Sequence, residues 1–135
     1  MDSNEAGEKM DKATVGRIGE DIAVLFLERR GYKVVERNYR KPWGEIDIIA
    51  KKGNSIRFVE VKTLAVNSLP DVSRESPHYR PEEQVHPKKL QKLARTAELY
   101  MISTRNGLDF QIDVVGVFLE SRTRKARCRL FEQVL

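Results

Sequence analysis

Residues 44–63 read GEIDIIAKKGNSIRFVEVKT, and the fold follows from how that run divides. Ile46, Ile48, Ile49 and Ala50 supply the apolar part of one short strand. Ile56, Phe58, Val59 and Val61 supply a second. Between them the polar run Lys51–Ser55 carries Gly53-Asn54, which suits a hairpin loop. Side chains alternate along a strand, so Glu60 and Lys62 share a face with Ile56 and Phe58, and Asp47 shares one with Ile49. A carboxylate on each of two neighbouring strands, with a lysine two residues past the second, makes a cage for a hard divalent cation, which prefers oxygen ligands. An ion pair of Lys62 with Asp47 or Glu60 would use the same residues. Asp47 stands among Ile46, Ile48 and Ile49, and Glu60 between Val59 and Val61. A charge in such surroundings is costly unless something compensates it. A metal and a salt bridge both qualify, and the residues alone leave the two open.

Upstream of the hairpin, residues 1–13 are polar and without periodicity, and read as a mobile tail ahead of a single domain at 14–135. A helix is expected from an N-cap at Thr14 to a stop at Gly31, with Val15, Ile18, Ile22, Leu25 and Phe26 toward the core. Glu20 falls beside Gly16, Ala23 and Leu27, on a flank of small residues where backbone can approach. Tyr32–Arg37 reads as a strand and Asn38–Trp43 (NYRKPW) as a turn at Pro42. That turn mixes Arg37, Arg40 and Lys41 with Tyr39 and Trp43. Such a mixture grips phosphates and stacks on bases, or else the two aromatics cap the core while the charges are solvated.

Downstream, Leu64–Val85 lacks periodicity and carries three prolines. It reads as a flexible loop beside the hairpin. A second helix is expected from Pro87 to Thr104, ending at Asn106-Gly107, with Leu90, Leu93, Ala94, Ala97 and Met101 buried. Lys88, Lys92 and Arg95 line another of its faces, as a phosphate track or as ordinary solvated charge. Leu108–Leu119 (LDFQIDVVGVFL) reads as a buried central strand with Asp113 as a polar core group. Arg122–Leu135 reads as an edge strand whose basic residues oppose edge-to-edge pairing.

The 135 residues suffice for one core. No apolar run approaches membrane-spanning length, and no secretory signal opens the chain. One cysteine, Cys128, excludes an internal disulfide, and neither it nor the two histidines show zinc spacing. A cytoplasmic setting is expected. The net charge of +5 favours a polyanionic partner.

Asp47, Glu60 and Lys62 fit the D…(E)xK signature of the restriction-endonuclease-like superfamily. GRIGEDIA (16–23), RNYR (37–40), GEIDIIA (44–50), FVEVKT (58–63) and IDVVGV (112–117) resemble, in order, the YraN-like family of that superfamily, which is related to archaeal Holliday junction resolvases. The resemblance implies an α/β fold with a restriction-endonuclease-like core, a mixed central sheet flanked by a helix on each side. It further implies a metal-dependent DNA endonuclease, acting on branched or damaged DNA, with Mg2+ (or Mn2+) as cofactor. Asp47, Glu60 and the Val61 carbonyl would bind the ion. Lys62 would orient or deprotonate the attacking water, and Glu20 would add a ligand from the first helix. Arg37, Arg40, Lys41, Lys88, Lys92 and Arg95 are the candidate nucleic-acid contacts, and the resolvase relatives imply a homodimer. Two positions depart from the pattern. Ile46 stands where the superfamily often has proline, and Glu45 is an added acid that suits an ion pair with Arg37 or Arg40. The rival expectation is a nucleic-acid-binding or interaction module with a nuclease-like fold and no catalysis.

Overall fold

The quoted stretch folds as a hairpin, and a computed structural model describes it together with the rest of residues 10–67, 69 and 85–135. The chain order is α1 (Lys12–Arg29), β1 (Lys33–Lys41), β2 (Gly44–Lys52), β3 (Ser55–Val66), α2 (Pro87–Thr104), β4 (Asp109–Glu120) and β5 (Ala126–Phe131). Among the described residues, five strands form one sheet in the order β1-β2-β3-β4-β5. The first three make an antiparallel meander. Parallel neighbours need a long crossover, and α2 lies on the one that brings β4 alongside β3. β5 then returns antiparallel at the edge.

The architecture is therefore the expected mixed sheet with a helix on each side. On one face Ala23 and Leu27 of α1 pack on Ile48, Ala50, Val59, Val115 and Val117. On the other, Leu93 and Ala97 of α2 pack on Ile49, Ile56, Phe58 and Ile112. β4 is buried from Ile112 to Leu119, as a central strand covered on both faces should be.

Several local expectations shift. Asp11, not Thr14, caps α1, accepting the Thr14 N–H at 2.8 Å. The buried line of α1 is Gly19, Ala23 and Leu27, and Leu25 is 55% exposed. The helix turns its small residues inward because they allow closer packing. A Cβ added to Gly19 would lie 1.8 Å from Thr63 Oγ1. β1 runs on to Lys41, so only Pro42 and Trp43 remain as its loop to β2. At that loop Gly44 lies against α2, where an added Cβ would meet Thr96 Oγ1 at 2.1 Å. Most of the 64–85 loop lies outside the described residues, as does most of the N-terminal tail.

At the end of the sheet near Gly53, Asp113 is fully buried, as expected of a polar core group. It accepts from Tyr32 Oη (3.2 Å), Arg57 Nη1 (3.3 Å), Gln111 Nε2 (2.8 Å) and the Gln133 N–H (2.9 Å). Arg57 also donates to Glu132 at 2.8 Å. The chain after β5 is thereby tied back to the sheet. No described helix is long and apolar enough to cross a membrane.

Candidate active site

Pairing between β2 and β3 runs from Lys52↔Ser55 to Ile48↔Val59 and stops there, while β3 keeps its pairing with β4 as far as Val66↔Glu120. The two strands part at Asp47. Its Oδ2 accepts the Val61 N–H at 2.8 Å, so a side chain replaces the next rung of the ladder. Alternation breaks at the same level. Ile46 packs toward α2 and Ile48 toward α1, although residues two apart in a regular strand share a face. Across on β1, Asn38 adopts a φ of 52°, a left-handed conformation that asparagine tolerates. The carbonyl of a strand residue points to the same edge as its N–H, so the Val61 carbonyl faces this opening as well.

The opening is a cleft of about 610 Å³. Glu20 of α1, Asp47 of β2, Glu60, Val61 and Lys62 of β3 and Lys89 of α2 all line it. Glu60 is only 4% exposed. Its carboxyl lies beside that of Asp47, and two such carboxyls resist being charged together unless a proton or cation sits between them. Burial, then the neighbouring Asp47, push Glu60 up to about 7 against the pull of Lys89. Burial also raises Asp47, although the Val61 N–H and Lys89 oppose it. Glu20 is raised by burial and by Asp47.

Sequence reasoning anticipated a three-acid cage. The structure brings Asp47 and Glu60 together and leaves Glu20 beside them, turned onto Arg37 at 3.5 Å. Among the described residues, no three Asp, Glu, His or Cys side chains are grouped so as to hold an ion. The donor set still suits a divalent cation. One half-buried acid, one buried acid and a free-facing carbonyl adjoin one cleft, and the acids repel each other when both are charged. Lys62 lines the cleft and has no ion-pair partner among the described residues.

Lys89 is the site residue that sequence reading missed. It forms an ion pair with Glu60. Burial would lower its ammonium, but Glu60, with Asp47 and Glu45, outweighs burial and raises it. The signal was present in the spacing. Lys89 continues the buried line Leu93, Thr96 and Ala97 toward the helix start, where the helix dipole disfavours a cation. A lysine placed there needs an acid opposite.

The candidate nucleic-acid residues separate into three groups. Arg37 is held by Asp21 (2.7 Å) and by Glu20, and so serves to anchor α1 on β1. Arg40, Lys88 and Arg95 are exposed, with Arg40 3.9 Å from Glu45. Lys41 and Lys92 line a second cleft of about 370 Å³ with Gly44 and Glu45. Glu60 and Lys89 line both clefts, so their ion pair forms the partition.

The acid pair sets a pH dependence. Glu60 titrates near 7 when folded against an ordinary 4.5, so its contribution to stability is complete below about 4.5 and is lost as pH rises through 7. Thermal unfolding in chelator should therefore weaken by on the order of 2–3 kcal/mol between pH 5 and 8. Glu60→Gln should flatten that profile. An unchanged slope in the variant would place the titrating group elsewhere.

Comparison with known proteins bears on most of the chain. A UPF0102 protein of Campylobacter jejuni subsp. doylei is 37% identical over 102 residues, covering 76% of this chain and 81% of its own. One from a Sulfurihydrogenibium species is 43% identical over 110 residues, covering 80% and 87%. Among solved structures, one titled "The structure of Pyrococcus Furiosus SfsA in complex with Ca2+" aligns with 90% of this chain at 20% identity and a TM-score of 0.39, and this chain spans 64% of its length. Residues 19–117 match the model of Uncharacterised protein family UPF0102, and with those relatives they establish that the chain belongs to that family.

Proposed function

We propose that the protein is a metal-dependent endonuclease that hydrolyses phosphodiester bonds in DNA. The observation that carries this reading is the pair of half-buried Asp47 and buried Glu60, set where β2 and β3 part and facing a cleft with Lys62. Asp47, Glu60 and the Val61 carbonyl would be the oxygen donors for Mg2+ or Mn2+, and Glu20, which lines the same cleft, would complete the site. A divalent ion held there lowers the pKa of bound water and offsets charge building on the phosphate. Lys62 would orient or deprotonate the attacking water. The water oxygen forms the new bond to phosphorus as the bond to the leaving sugar oxygen breaks. Lys41 and Lys92 contact phosphates that flank the scissile one. The protein would act in the cytoplasm, and the resolvase resemblance adds a homodimer, which light scattering checks.

One observation favours a second reading. Lys89 already gives Glu60 the compensation that a metal would supply, as suits a binding module without catalysis. Incubating the protein with duplex, single-stranded and four-way DNA, with and without Mg2+ or Mn2+, separates the two. Cleavage products that form only with metal are expected. Binding without product in either metal would favour the non-catalytic module.

A further inference from the structure

The NYRKPW segment held two readings for its aromatic residues, and the fold divides them. Tyr39 is 8% exposed and packs edge-on against Tyr100 at 5.4 Å, inside the α2-side core. Trp43 is 46% exposed, and among the described residues its ring has no aromatic or cation partner. It is also the lone tryptophan of the chain.

The setting of Trp43 is rigid. Lys41↔Gly44 is the last pair of the β1–β2 hairpin, so Pro42 and Trp43 are its two loop residues. Proline fixes the backbone on one side. On the other, Gly44 is pressed against Thr96 too closely to admit a methyl group. A large apolar ring is thus held half in water on a stiff tip, where small polar residues usually serve. Burying the rest of it would be favourable, and little conformational freedom would be lost in doing so.

The tip also borders charge. Pro42 and Gly44 line the second cleft with Lys41, Glu45 and Lys92, and the Glu60–Lys89 pair stands between that cleft and Asp47. We propose that Trp43 is a stacking platform for an unpaired base, on a strand whose phosphate lies between Lys41 and Lys92 while the adjoining backbone reaches the acid cleft. Bases inside a duplex are already stacked and present no free face to such a tip. The ligand class is therefore single-stranded nucleic acid or the unpaired part of a branched one. This rests on the nucleic-acid part of the reading above and is independent of cleavage.

The test uses binding in chelator, with a labelled single-stranded oligonucleotide and a blunt duplex as probes. Anisotropy measures affinity, and the emission of the single tryptophan reports stacking directly. Single-stranded DNA should quench that emission and the duplex should not. Trp43→Ala should weaken single-strand binding by about five- to a hundredfold while duplex affinity stays within about twofold, and Trp43→Phe should recover most of the loss. Unchanged emission at saturating oligonucleotide, an equal loss on both probes, native affinity in Trp43→Ala, or binding to neither probe would each overturn the proposal. A protein that behaves as expected here, yet cuts nothing in Mg2+ or Mn2+, would refute the nuclease reading and leave this one standing.

Discussion

Asp47→Asn is expected to lower metal-dependent cleavage by about a thousandfold while making the metal-free protein more stable. The two effects have one cause. Asparagine keeps a carbonyl oxygen to accept the Val61 N–H, so the parting of β2 and β3 is preserved. It removes a charge that burial makes unfavourable and that pushes Glu60 up. Loss of one preorganised electrostatic group at a reaction centre typically costs a factor of about 10²–10³, and a metal ligand stands at the upper end. The gain in stability in chelator should be on the order of 1–2 kcal/mol, a fraction of the penalty carried by the raised acids. Asp47→Ala makes the contrast. It leaves the Val61 N–H without its acceptor, at a cost of about 1–3 kcal/mol, and should melt below the native protein. Thermal melts of all three in chelator and in Mn2+ read this directly. Native protein should gain stability from the metal and neither variant should. Equal cleavage by Asp47→Asn and native protein would remove this residue from the chemistry.

Asp113→Ala should be the most destabilising single change outside the cleft. Four donors converge on that carboxylate, among them the Arg57 guanidinium. Breaking a buried ion pair by deleting one partner costs about 3–5 kcal/mol, because the other charge stays buried. Glu132 softens the loss, since it also holds Arg57 at 2.8 Å, but it is itself half exposed. Urea unfolding should show the midpoint falling in proportion, with the chain after β5 freed first. A loss below about 1 kcal/mol would mean that Arg57 and Tyr32 find water in place of Asp113.

The hairpin, the second helix and the central strand were legible because each carries a clean local signal. Periodicity marks the Pro87–Thr104 helix, and a near-continuous apolar run marks β4. The inward face of α1 was less legible. Val15, Ile18 and Leu25 outweigh Gly19 and Ala23 on any hydrophobic count, yet close approach to Thr63 decides which side turns in. That contact is non-local, so no spacing within the helix announces it. The acid pair was legible from strand alternation and from the resemblance. Its partner Lys89 was overlooked, because a lysine beside other lysines reads as solvated surface until the opposite face is known. Arg37 shows the converse. It reads as a phosphate contact from its neighbours, but Asp21 and Glu20 of α1 take it up.

The Gly19–Thr63 and Gly44–Thr96 contacts bring each helix against the sheet through a residue with no side chain, one beside Glu20 and one beside the Trp43 tip. At these two points the spacing between layers is gauged by a hydrogen atom. Rotamer changes can retune a wall built of leucines, but a glycine has none to offer. The jaws of the cleft are thus set in discrete steps, and the smallest step available, one methyl group, already exceeds the clearance.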